Sequence, residues 1–146
     1  MSELFANRVF QATFVVWAIA QLLKFVVELI FRRHLDLRML TTAGGMPSSH
    51  SALVSALATA IAIRDGAGSS LFVLSLGLAV ITMYDAAGVR RAAMIQARIL
   101  NQIIDELFQG HPISDTRLRE LLGHTPVEVF VGMLLGIVGA WWWMTR

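Results

Sequence analysis

From Phe10 to Phe31 the chain runs for about 22 residues with only two charges, Lys24 and Glu28. That is the length of a full bilayer crossing, and lipid is the solvent that most restricts a fold: every backbone polar group must be satisfied within the protein, by helices or a closed barrel. Further apolar runs follow at Ser49–Ile63, Ser69–Gly88 and Val127–Met144, none alternating as strands do. The expectation is an all-α polytopic bundle with about four membrane segments, forming one membrane-embedded domain over residues 1–146. With 56% hydrophobic and 15% charged residues in a chain this short, a water-soluble interior has too little room for the apolar side chains. Arg8 and the Ala18-Ile19-Ala20 triplet resemble a signal peptide and its cleavage site, but the run outlasts a signal core and reads as a crossing.

The second segment is the shortest, and Ser51, Ala52, Ser55, Ala56, Ala58 and Ala60 make it rich in small side chains. Such residues let helix backbones approach closely, as a buried central helix requires. Gly66 and Gly68 suit a tight turn into the third segment. Residues 89–108 interleave Ile95, Ile99, Ile103 and Leu107 with Arg91, Arg98, Asn101 and Asp105, an amphipathic helix that lies along the interface or extends the third segment. Four crossings put Arg32, Arg33, Arg38, Arg90, Arg91, Arg98, Arg117 and Arg119 on one side, with Arg8, Arg64 and Arg146 on the other. The positive-inside rule turns the arginine-rich side to the cytoplasm.

No cysteine is present, which excludes disulfides, thiolate metal sites and cysteine nucleophiles. The net charge of +2, without a long basic tract, gives no footprint for nucleic acid. The chemistry-bearing residues fall instead in three short stretches that this topology gathers on the arginine-rich face. In Gly44-Gly45-Met46-Pro47-Ser48-Ser49-His50-Ser51 the glycines permit a sharp backbone, and proline and serines begin a helix. The free N–H groups of that helix start favour an anion. Ser48 or Ser49 is a cap, a phosphate ligand, or both, and His50 sits in the first turn.

In Gly123-His124-Thr125-Pro126-Val127-Glu128, threonine, proline and glutamate match an N-cap, a first-turn proline and a capping-box carboxylate. His124 then precedes a helix N-terminus whose dipole disfavours imidazolium, leaving a nitrogen available as nucleophile or base. Glu128 caps the helix, whether or not it also orients His124. Arg90 and Arg91 either hold phosphate oxygens through bidentate contacts or reach to lipid headgroups, and Asp85, ending an apolar segment, calls for an arginine partner. Lys24 and Glu28, one turn apart at membrane depth, form an ion pair or leave Lys24 to bind phosphate.

Pro47-Ser48-Ser49-His50 after a glycine pair resembles the Pro-Ser-Gly-His motif of the type-2 phosphatidic acid phosphatases. With Tyr84-Asp85-Ala86-Ala87-Gly88-Val89-Arg90-Arg91 and Gly123-His124-Thr125-Pro126-Val127-Glu128, the chain is more similar to the divergent branch of that superfamily, small bacterial and plant membrane proteins. The resemblance implies an integral membrane lipid phosphatase of a bacterial inner membrane, with its active site facing the cytoplasm. It implies that His124, with Glu128 behind it, attacks phosphorus, that His50 protonates the leaving alcohol, and that Ser48, Ser49, Gly45, Lys24, Arg90 and Arg91 surround the phosphate. No metal or other cofactor is implied. The substrate class that the resemblance implies is a phosphorylated lipid, a monoester or diphosphate, within surrounding membrane lipids. Four segments where the wider family has six suggest a homodimer that completes the bundle. The lysine spacing differs, with Lys24 followed by Arg32 and Arg33 and no proline, and no clean Ser-Arg pair precedes His124. Two other readings stand beside this one: magnesium held by Asp85, Glu128 and Asp115, or a non-catalytic protein that binds anionic headgroups or transports a phosphorylated solute.

Overall fold

The computed structural model describes residues 2–32, 45–107 and 124–146, and every element in them is a helix. In chain order these are α1 (Ser2–Ala6), α2 (Arg8–Arg32), α3 (Ser49–Asp65), α4 (Ser70–Ala87), α5 (Val89–Leu107) and α6 (Pro126–Thr145). Three stretches are long and apolar enough to cross a membrane: Arg8–Val27, Ser70–Ala87 and Pro126–Thr145. The expected second segment is α3, whose 17 residues reach roughly 25 Å at the helical rise. It is the central helix that its small side chains anticipated: Ser51, Ala52, Ala56 and Ala60 are buried, and it packs against α2, α4 and α6.

Helix ends are fixed by local chemistry. Ser48 caps α3 and accepts from the Ser51 amide, while at the other end Gly66 (φ 86°) donates to the Ala62 carbonyl. Positive φ at Gly66 is a backbone conformation that glycine, lacking a Cβ, adopts without strain. Ser69 then caps α4, accepting from the Phe72 amide at 3.2 Å. At this turn Arg64 holds Asp65 through two 2.9 Å bonds, which lowers the carboxyl of exposed Asp65 from its ordinary range.

The contacts set the helix directions. Arg8 donates to the Trp143 carbonyl at 2.8 Å and Arg64 to Asn7 at 3.4 Å, so the start of α2, the end of α3 and the end of α6 lie together. At the opposite end the Ser48 amide donates to the Glu128 carbonyl at 3.0 Å. Helices α3 and α6 therefore run parallel, with α2 and α4 antiparallel to them.

The α3–α6 seam is built on absent side chains. A Cβ at Gly132 would stand 2.3 Å from the Ser48 carbonyl oxygen, and one at Gly136 would stand 2.5 Å from that of Ala52. Val9, Ala12, Val16 and Ala20 of α2 close the core against Ala52, Ala56, Ala60 and Ala140. Helices cannot gain a hydrophobic driving force from one another in lipid, so close backbone packing of this kind carries the association. The large side chains face outward instead: Leu74, Ile81 and Leu22 are 71%, 69% and 64% exposed, a surface suited to hydrocarbon and hazardous in water.

Helix α5 follows α4 after Gly88 and packs against it. The amphipathic helix expected from the sequence is present, with Ile95, Ile99 and Ile103 exposed in a single row.

Candidate functional site

Two helix N-termini open side by side at one end of the bundle. Ser48 and Ser51 are fully buried between them, with the Ser51 hydroxyl donating to Ser48 Oγ at 3.0 Å. Ser49 is buried as well, and His50, one residue on, is exposed on the first turn of α3. The Ser48–Glu128 backbone bond brings the Pro47–His50 segment against the segment that starts at His124. The amides at both helix starts and the aligned peptide dipoles give this end a positive potential suited to an oxyanion.

Gly45 has φ 88°, and a Cβ there would meet Lys24 Cε at 3.0 Å. The backbone turns sharply at this glycine, and the Lys24 stem lies across it. Lys24 is only 5% exposed, so the structure sets it beside the helix-start segment. The Glu28 side chain, the other half of the ion-pair reading, lies outside the described residues.

His124 is 2% exposed and immediately precedes the α6 cap. The capping box is complete: the Thr125 amide donates to Glu128 Oε2 at 2.9 Å, and the Glu128 amide donates to Thr125 Oγ1 at 3.3 Å. The Glu128 carboxylate is thus engaged at the helix start, where it fixes the backbone that carries His124.

Asp85 is half-buried near the end of α4. The Ser55 hydroxyl donates to Met83 Sδ at 3.9 Å, which locks α4 to α3 two residues before Asp85 and sets Asp85 at the same end as Ser48. Arg90 and Arg91 belong to the first turn of α5, but their side chains lie outside the described ones, as do Asp115, Arg117 and Arg119 altogether. Among the described residues, no three His, Asp or Glu side chains converge as metal ligands would. The seam residues Gly132 and Gly136 position the site and were missed by sequence reasoning. Their signal was present: with Ala140 they recur every four residues, the pattern of close helix approach.

The family model for the divergent PAP2 family matches residues 5–139, which covers all three stretches. The chain belongs to the divergent PAP2 family. Within this family's reach it is similar to the uncharacterized membrane protein YuiD of Bacillus subtilis (strain 168), 41% identical over 147 residues and covering 93% of each chain. That likeness and the three apolar helices make this divergent PAP2 protein an integral membrane protein. No solved structure matches it.

Proposed function

We propose that this protein is a lipid phosphatase that hydrolyses a phosphomonoester or diphosphate of a lipid at the membrane interface. The observation that carries this reading is the pairing of two helix N-termini, tied by the Ser48–Glu128 bond, with buried His124 and Lys24 at the same end. The positive ends of two helix dipoles, a lysine and an imidazole together supply what phosphoryl transfer needs, an oxyanion cradle and a nucleophile. Family membership is consistent with the reaction without fixing it.

In this mechanism a His124 ring nitrogen attacks phosphorus, and an N–P bond forms as the P–O bond to the lipid breaks. His50, exposed on the first turn of α3, gives its proton to the leaving oxygen. Water then attacks the phosphohistidine, His50 takes up the proton, and inorganic phosphate departs. Lys24, the helix amides and arginines 90 and 91 offset the charge on the equatorial oxygens. Ser48 and Ser49 shape the cradle. Glu128 is a positioning residue, acting on His124 through the α6 cap, and Asp85 orients an arginine.

The arginine-rich end faces the cytoplasm of a bacterial inner membrane, α3 completes a fourth crossing, and α5 lies in the interface with Ile95, Ile99 and Ile103 toward the acyl chains. A second copy completes the bundle.

The test is phosphate release by the purified protein from a panel of lipid phosphates, with and without chelator. Turnover that survives chelator and is lost in both His124→Ala and His50→Ala supports the reading. Loss with chelator alone would favour magnesium chemistry, and headgroup binding without turnover by folded protein would favour a non-catalytic role.

A further inference from the structure

Beneath the phosphate end, a cavity of about 390 Å³ lies between α3, α4 and α6, within the roughly 300–1,000 Å³ typical of small-molecule sites. Its wall is drawn from Ser55, Thr59, Met83, Met133, Ile137 and Trp141, among others, and no lining residue is charged. Leu76, Ile137 and Trp141 also line it while remaining 45%, 40% and 57% exposed, so it opens outward between two membrane-crossing helices.

The cavity is aligned with the site. Ser48, Ser55 and Ala62 are spaced seven residues apart on α3 and share one face, each step a rise of roughly 10 Å. Ser55, Met83 and Met133 form the end toward the site, and Ile63, Phe72 and Trp141 the far end. Met83 lies two residues from Asp85, and Met133 five residues after Glu128. The groove therefore starts about two turns of α3 below the cradle and runs away from it along the bundle.

We infer that this groove holds one hydrocarbon chain of the phosphorylated lipid whose headgroup occupies the site. The inference rests on the proposed phosphate site and adds the part of the substrate that site does not read. Hydrocarbon gains little by leaving lipid for an apolar wall, so affinity comes from the phosphate and the groove contributes close dispersion contacts that select chain shape. Phe72 and Trp141 set the depth to which a straight chain descends.

The test uses wild-type protein in phosphatidylcholine nanodiscs and a non-hydrolysable alkyl phosphonate with a mid-chain diazirine, the adducts being mapped by mass spectrometry. Adducts are expected on Met83, Met133 and Ile137, competed by unlabelled alkyl phosphonate but not by the alcohol of equal chain. Ile137→Trp fills the groove and should reduce them about tenfold, the scale of a pocket that loses a few methylene contacts. Uncompeted adducts spread over Leu74, Ile81 and Phe130 on the lipid face would overturn the inference, whatever Ile137→Trp does. Competed groove adducts in a protein that releases no phosphate from any lipid would sink the phosphatase reading and leave the groove standing; turnover with adducts elsewhere would do the reverse.

Discussion

The amide of Ser48 donates to the carbonyl of Glu128 across 3.0 Å, joining the first residue before α3 to the first turn of α6. The residues are 80 positions apart, yet this one bond sets Ser49 and His50 on one side of a shared helix end and His124 on the other. It forms only because Gly132 lets the Ser48 carbonyl come so close.

Adding one methyl group at Gly132 should therefore pry the site open. The Cβ of Gly132→Ala would meet a backbone oxygen, which cannot swing aside as a flexible side chain would, and overpacking of this kind costs about 1–3 kcal/mol. Gly77→Ala is the control, since its Cβ meets nothing within 4 Å and alanine should add ~0.5–1 kcal/mol to an exposed helix. Thermal unfolding in detergent should show the first variant several degrees below wild type and the second at or above it.

Glutamine serves in a capping box as glutamate does, so Glu128→Gln should retain both melting temperature and phosphate release. Glu128→Ala should lower the melting temperature, because the Thr125 amide loses its acceptor, and a lost cap costs about 0.5–2 kcal/mol. A Glu128→Gln protein that melts normally but turns over slowly would show that the carboxylate charge itself acts on His124.

Lys24→Met keeps the apolar stem that crosses Gly45 and removes the charge. Turnover should fall about 100-fold, the scale of one lost transition-state donor, with little change in stability. Gly45→Ala should impair both, since alanine at φ 88° is strained by about 1–2 kcal/mol and its Cβ displaces the lysine. Equal turnover in Lys24→Met and wild type would remove Lys24 from the site.

Much of this was legible in the chain because local rules fix it. Thr125, Pro126 and Glu128 announce a helix start from neighbouring residues alone, and the structure supplies both capping bonds. Small residues in α3 announced a buried helix. Lys24 was ambiguous because its meaning depends on Gly45, a contact between distant segments that no local pattern encodes. The side-by-side packing of α3 on α6 was likewise hidden, although Gly132 and Gly136 carried its signature, because spacing states that a backbone comes close and not which one. The count of crossings was the least secure: three stretches satisfy a length criterion, while α3 spans the bundle with 17 residues because protein, not lipid, surrounds it.

The absence of native cysteine makes topology directly testable. Single cysteines at Ser2, Gly68 and Thr145 should react with an impermeant maleimide from outside intact cells, and one at Arg98 only after lysis. Labelling of position 68 from the side opposite to position 2 would show that α3 does not cross.

The central claim is that His124 is the nucleophile, and a phosphoryl-enzyme is its direct signature. Rapid acid-free quenching of the protein with a radiolabelled lipid phosphate should trap an alkali-stable, acid-labile phosphate on His124, absent in His124→Ala and persistent in His50→Ala if the intermediate forms but drains slowly. Turnover without any trapped label, undiminished in His124→Ala, would contradict the account.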